Sequence, residues 1–375
     1  MYFLTQGKFY NMFALLFGVS FYIFLEKLEK RGLGLNAMDI YARRLIWLFV
    51  IGIAHAYFIW TGDVLYHYAV CGFLLFPFRS ISSKSLLLIV AFLCTLVITN
   101  TYSVTSRRII SYEKYIEAAK ISGSEWTEEQ QKRDAYWQTR LKPKQPETSK
   151  LTAPKETYWE GLKETYNNSR AHKGLIYNSS LLFPSLIIMI IGIILYRSGI
   201  FHDYRVWRQY WLISISILIV ALVINYFRFY QWTYKYYEPI LSHWKAVLFD
   251  FAKIALGLGY ILILNGLHQK FLKENKINLI ANVGRMALTN YIFQNTLLGL
   301  IFYGYGLAQF NQYSRFELLG FVIVIWIIQL LLSNLYLKRY EQGPLEWIWR
   351  SLTYKSLEIK QRKAKDNKYY NLPSE

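Results

Sequence analysis

Two cysteines in 375 residues leave no disulfide framework to read. Both, Cys71 and Cys94, lie inside apolar runs, where a thiol packs as a small hydrophobe. Histidine is scarce too: six residues scattered along the chain make no ligand cluster, and no metal is expected. There is no glycine-rich phosphate loop, no Cys-x-x-Cys pair, no His-Glu-x-x-His helix and no Gly-x-Ser-x-Gly elbow. P-loop phosphate chemistry, dithiol redox, zinc peptidase and serine hydrolase activity are therefore without a signature. Acidic residues are few beside basic ones, 24 against 43, giving a formal charge of +19. In a soluble chain that excess would point to nucleic acid. Here the basic residues sit between apolar blocks, as the positive-inside bias and attraction to anionic membrane lipids arrange them, and nucleic acid is not an expected partner.

What the chain has in excess is apolar surface, with 54% hydrophobic and 18% aromatic residues. The apolar blocks are too continuous for amphipathic surface helices. The expected fold is all-α, a polytopic transmembrane helical bundle of about nine spans, near 8–25, 45–60, 64–79, 85–104, 177–196, 210–230, 245–267, 283–305 and 317–337. The second and third form a tight hairpin. Four spans thus occupy 1–104, a polar extracytoplasmic insert 105–176, five more spans 177–338, and a basic tail 339–375. The insert holds Pro143, Pro146 and Pro154 and a helix-compatible stretch around 125–140. In the tail, Gly343-Pro344 opens a short helix with Leu345, Trp347, Ile348, Trp349 and Leu352 beside Glu346 and Arg350, suited to lie on the inner membrane surface.

Loop charge sets an orientation. Lys27, Lys30, Arg31, Arg43 and Arg44 follow the first span, Arg79 and Lys84 the third, Arg197, Arg205 and Arg208 the fifth, and Lys270, Lys273 and Lys276 the seventh. The alternate short connections offer little beyond Lys235, Lys245 and Arg315. Odd-numbered spans therefore end in the cytoplasm, with the C-terminus inside and the N-terminus outside. The first block ends Phe24-Leu25-Glu26-Lys27 without a cleavage site and reads as a retained span. An outside N-terminus without a signal peptide is an awkward start and suggests one more helix in front.

Ionisable side chains in hydrocarbon need a partner, a wet cavity or a task. Three groups qualify. Arg44 opens the second span, His55 lies near its outer end, and Trp60-Thr61-Gly62-Asp63 makes the turn before His67. At 1.5 Å per residue His55 is only about 7 Å below that turn, so Asp63 can orient its imidazole as a general base. The plainer alternative has His55 donating to a backbone carbonyl and Asp63 capping the next helix. Asp250 and Lys253, three apart on one helix face, suit a structural pair or a proton or ion relay. Arg285, Asn290, Gln294 and Asn295 interrupt the eighth span; Asn290 and Gln294 share a face, which suits interhelical packing or the lining of a cavity.

Gln6-Gly7-Lys8-Phe9 running into Phe13-Ala14-Leu15-Leu16-Phe17-Gly18, then Arg44-Leu45, Gly52, His55, Trp60, Gly62-Asp63 and Tyr68, resemble the YeiB-like bacterial membrane proteins that carry the domain of unknown function 418. Gly284-Arg285-Met286-Ala287-Leu288-Thr289-Asn290-Tyr291 and Gly343-Pro344-Leu345-Glu346-Trp347-Ile348-Trp349-Arg350 look like that family's C-terminal signatures. The resemblance implies a multi-pass protein of the bacterial plasma membrane, with a further span ahead of the first one here. It also implies a distant likeness to transmembrane acyltransferases typified by the lysosomal heparan glucosaminide acetyltransferase. The expected activity is acyl transfer from a cytosolic thioester such as acetyl-CoA to a small-molecule or envelope glycan acceptor. His55 and Asp63 would be catalytic, with Arg44, His67, Asp250, Lys253, Arg285, Asn290 and Gln294 lining the passage. A small-molecule or proton-coupled transporter using Asp250 and Lys253 is the rival, and a scaffold without turnover a third.

Overall fold

Runs of Leu, Ile, Val and Phe with the charges held to their ends favour helices, because a helix satisfies its own backbone and presents only side chains outward. The computed structural model describes residues 8–32, 35–120, 126–141, 157–168, 179–234, 242–271, 278–310, 312–314 and 316–355. Among these the fold is all-α, an arrangement of thirteen helices without a strand. In chain order they are α1 (Lys8–Lys30), α2 (Leu35–Phe58), α3 (Leu65–Leu75), α4 (Ser83–Ala118), α5 (Glu128–Leu141), α6 (Tyr158–Asn168) and α7 (Ser179–Arg197). Next come α8 (Tyr210–Tyr234), α9 (His243–Phe271), α10 (Asn278–Arg285), α11 (Ala287–Phe302), α12 (Glu317–Arg339) and α13 (Pro344–Tyr354).

Five helices, α1, α4, α8, α9 and α12, are long and apolar enough to cross a membrane, against the nine spans expected. The other four candidates fall short for local reasons. α2 begins ten residues before the expected span and carries Asp39, Arg43 and Arg44 in its first half. α3 has 11 residues, about 16 Å of rise against a hydrocarbon core of about 30 Å. α7 is shorter than the five and contains Pro184. The expected span at 283–305 breaks at Met286 (φ −110, ψ 30), which separates α10 from the 16-residue α11. α4, by contrast, runs on through the expected boundary at 105 as far as Ala118. The helix expected around 125–140 is α5, and the one expected after Gly343 is α13, with Pro344 in its first turn.

The chain divides into two units, one of residues 1–34, 67–150 and 173–273, the other of 35–66, 151–172 and 274–375. In the first, α7 is the central helix: Ile188, Met189, Ile190 and Ile193 are wholly covered. α1 lies against it because both helices supply a glycine at the contact. A methyl on Gly18 would overlap the Met189 backbone, and one on Gly192 would meet the Leu15 carbonyl at 2.5 Å. Arg197 ends α7 by donating to the carbonyls of Arg79 and Ile81. The extension of α4 is covered by α5, whose Trp137 is buried against Tyr112 and donates to Ser111 Oγ at 3.2 Å. This part of the insert is packed structure.

The second unit holds α2, α6 and α10 to α13. α6 is started by a capping box, with Thr157 N donating to Glu160 Oε2 at 2.7 Å. That hydrogen bond holds the Glu160 carboxyl below the ordinary range. α6 lies over the C-terminal end of α2, where Tyr166 packs on Tyr57 and Tyr158 reaches Phe58 O and the Tyr305 ring. α13 packs on the N-terminal half of α2: Trp349 Nε1 donates to Arg44 O at 2.8 Å, and the Arg44 guanidinium stands 4.0 Å over the indole. Although its composition suits a membrane surface, α13 is thus docked on protein.

Candidate active site

α2 ends where two amides, Ile59 N and Trp60 N, both donate to the carbonyl of His55 at 2.9 Å. This places the imidazole in the last turn, directly before the bend that carries Asp63. The bend folds back closely because residue 52 is glycine. A methyl there would overlap Tyr66 N and stand 3.0 Å from Asp63 Oδ1.

His55 Nδ1 lies 2.8 Å from Asp63 Oδ2, with both side chains removed from solvent. The N–H direction is off the oxygen, so the contact has the distance of a hydrogen bond without its alignment. The remaining lone pairs of Asp63 are used well. Oδ1 accepts from Tyr66 N at 3.0 Å, and Oδ2 accepts from Tyr291 Oη at 3.3 Å. On the far side of the ring, Asn295 Nδ2 is 3.0 Å from His55 Nε2. A carboxylate beside Nδ1 favours the tautomer with its proton there, which leaves Nε2 as the acceptor and makes Asn295 the donor. The Tyr291 ring covers the imidazole, with centroids 5.0 Å apart. Asp63 thus caps the next helix with one oxygen and faces His55 with the other.

Asn295, which the sequence marks only as an interruption of the eighth span, and Tyr291, which it shows only within a signature string, are the members of this cluster not singled out as site residues from the sequence. They are four apart on α11 and so share a face. That is the same periodicity that singled out Asn290 and Gln294, applied one residue along, and it was available in the sequence.

The other candidate residues are placed elsewhere. Asn290 Nδ2 donates to Val283 O and Ser333 Oγ, and Gln329 Nε2 donates to Asn290 O at 3.0 Å and reaches Gln294 Oε1 at 3.5 Å. Arg285 donates to the Glu341 carbonyl and to Asn282 Oδ1. These three fasten α10, α11 and α12 together, with hydrogen bonds that match the packing alternative. Arg44 is on α2 under Trp349, eleven residues before His55.

His67, Asp250 and Lys253 belong to the first unit. His67 Nε2 is 3.0 Å from Ser185 Oγ, which also contacts Tyr10 Oη and donates to Leu181 O at 2.6 Å. A serine has one proton to give, and Leu181 O takes it, so His67 is the donor to Ser185 and the hydroxyl is saturated. Asp250 receives Lys253 Nζ on Oδ1 at 2.8 Å and Thr101 Oγ1 on Oδ2 at 3.0 Å. Among the described residues no group of three His, Cys, Asp or Glu side chains is arranged to hold a metal.

Residues 195–356 match the model of a family described as "Protein of unknown function (DUF418)". The chain is 27% identical to the uncharacterized protein YxaH of Bacillus subtilis (strain 168), over 97% of this chain and 83% of that protein. It is also 27% identical to the uncharacterized protein YeiB of Escherichia coli (strain K12), over 94% of this chain and 83% of that one. No solved structure matches it. Residues 284–291 and 343–350 lie inside the matched region, and the family match together with the two relatives supports the resemblance of this chain to YeiB-like DUF418 proteins.

Proposed function

We propose that this protein is a membrane-embedded acyltransferase in which His55 is the general base, oriented by Asp63. It would take an acyl group from a cytosolic thioester donor such as acetyl-CoA. The acceptor would be an extracytoplasmic small molecule or envelope glycan. The single observation that carries the reading is the buried His55–Asp63 pair with Asn295 at the free nitrogen. In an apolar surrounding such a pair needs a reason beyond packing, because neither side chain contributes apolar contact commensurate with its desolvation.

The chemistry follows from the tautomer. Nε2 accepts the proton of an acceptor hydroxyl or amine once Asn295 releases it, and the nucleophile then attacks the thioester carbonyl. The C–S bond breaks, the thiolate leaves, and the imidazolium returns its proton to the sulfur. Asp63 stabilises the imidazolium in between. Asn295, freed from Nε2, is placed to donate to the carbonyl oxygen as it becomes anionic. The proposed setting is the bacterial plasma membrane with the C-terminus in the cytoplasm, as the loop charges favour. A transporter reading would rest on Asp250 and Lys253, whose charges are paired with each other, with Thr101 donating to the second carboxylate oxygen.

The test is purified full-length protein in lipid, supplied with radiolabelled acetyl-CoA and crude envelope glycan. Acyl transfer or slow thioester hydrolysis that His55→Asn abolishes supports the reading. Neither activity with any thioester, together with an unchanged host phenotype for His55→Ala, would count decisively against it.

A further inference from the structure

Asn295 and Gly299 are four residues apart on α11 and both are buried, so Gly299 stands one turn, about 6 Å, beyond Asn295 on the same face. The space left by the missing side chain is taken by Tyr305, whose hydroxyl a methyl at Gly299 would meet at 2.7 Å. The chain reaches this position through a tight return after α11. Leu307 N donates to Leu300 O at 2.8 Å, Gln309 N to Ile301 O at 3.1 Å and Ala308 N to Tyr303 O at 3.1 Å. Gly306 passes so close to the Leu300 carbonyl that a side chain would overlap it, and Ala308 is held at φ 52, a conformation that costs a non-glycine residue energy. Tyrosines at a membrane interface ordinarily sit among the headgroups. This return instead turns Tyr305 onto the face of α11 that carries Asn295. Two more rings extend the surface. Tyr303 lies nearly parallel to Tyr305, with 14° between planes and 5.5 Å between centroids, and is 37% exposed. Tyr158 of α6 meets Tyr305 edge-on at 5.5 Å and reaches Phe58 O at the end of α2. All of these residues belong to the second unit.

We infer that Tyr303, Tyr305 and Tyr158 form the acceptor-binding surface of the His55 site, and that the acceptor group they take is a pyranose, one sugar of a glycan. The inference rests on the acyl-transfer reading and narrows its acceptor. A pyranose has a C–H face that packs on the negative face of an aromatic ring, and a rim of hydroxyls that suits the polar tips of tyrosines. Its size fits as well. The ring with its substituents spans about 5 Å at ordinary bond dimensions, close to the single turn between Gly299 and Asn295. Admission requires the Tyr305 ring to turn outward and stack on the sugar, which then presents a hydroxyl at the level of Asn295 and His55 Nε2. An organic cation also favours aromatic faces. Asp63, however, the one buried carboxylate among the described residues, is already engaged by His55, Tyr66 N and Tyr291.

Full-length His55→Asn protein, which lacks the proposed base, is placed in phosphatidylglycerol nanodiscs and titrated with chitotriose, maltotriose and, for comparison, choline, read by saturation-transfer NMR. At least one trisaccharide is expected to bind. Adding Tyr305→Ala should weaken it about threefold to tenfold, the size of one aromatic contact, while Tyr305→Phe, which keeps the ring, retains most of the affinity. Tyr303→Leu, at the more exposed ring, weakens binding in the same direction and carries the test if melting curves show Tyr305→Ala to be unfolded. Acetyl-CoA hydrolysis is measured separately on protein with His55 intact. Trisaccharide binding that depends on the tyrosines, without thioester turnover, supports this surface and counts against acyl transfer. Turnover that needs His55, with neither trisaccharide bound, overturns the surface alone. Binding of choline in place of both sugars, or sugar affinity unchanged in the folded tyrosine variants, also overturns it.

Discussion

Asp63 divides its two oxygens between the cap of α3 and His55, and neighbouring residues make that division testable. Oδ1 holds the first turn of α3 through Tyr66 N, while Oδ2 faces His55. Gly52 sets the distance. Gly52→Ala is expected to cost about 1–3 kcal/mol of stability by overpacking against the Tyr66 backbone, and to lower activity by moving Asp63. Gly284→Ala is the control, because a methyl there meets open space. Melting temperature and transfer rate, measured on both, should separate them clearly. Asn295→Asp tests the other nitrogen. A carboxylate at Nε2 favours imidazolium, so the base would be protonated before the substrate arrives. Transfer at neutral pH should fall by tenfold or more, on the order of one lost acid–base contribution, while the melting temperature stays within a few degrees. The His55–Asp63 pair was legible from the sequence because both residues flank one tight turn, where the rise per residue fixes their separation. His67 and Ser185 were not, since residues 118 positions apart meet only through helix packing.

At the scale of elements, the two C-terminal signature strings explain one another. α11 starts at a residue with no side-chain cap, Met286. Its orphan amide at Thr289 is instead taken by the Glu346 carboxylate of α13, which also receives the Thr289 hydroxyl proton. Thr289 Oγ1 in turn accepts from Leu345 N in the first turn of α13, at 3.1 Å. Each helix thereby caps the other, and a negative charge sits at the positive end of α11. Glu346→Ala should destabilise the protein by about 1.5–3 kcal/mol, the range for a charged hydrogen bond whose partner is left unsatisfied. It should also expose the chain after Lys338 to trypsin, with Glu346→Gln intermediate; cleavage no faster than in the parent would contradict the clamp. The existence of the long helices was readable from continuous apolar runs, whereas their ends were not. The break at Met286 and the run of α4 to Ala118 depend on what packs alongside, Glu346 in one case and Trp137 in the other.

For the whole molecule, the relevant quantity is how little of the apolar surface the protein covers by itself. In α4, α8 and α12 only 17% of the apolar window is buried, and side chains such as Leu88, Phe92, Leu212, Trp326 and Leu331 face outward. Surface of that kind over whole helices suits lipid far better than water. The chain should therefore stay with membranes after carbonate washing and leave them only in detergent. A C-terminal tag should be cut by protease in inverted vesicles and protected in spheroplasts, in keeping with the basic loops. The same long apolar runs made the fold class evident from the sequence, while the candidate site needed α11 to bring Tyr291 and Asn295 to a histidine some 240 residues earlier.

In the proposed acyl transfer a proton moves through His55. The most direct measurement is the initial rate of transfer from radiolabelled acetyl-CoA by wild-type protein and His55→Asn at equal folded amounts in the same lipid. A loss of about a hundredfold to ten-thousandfold in the variant is predicted, the usual contribution of a positioned general base. Equal rates in the two proteins would contradict it.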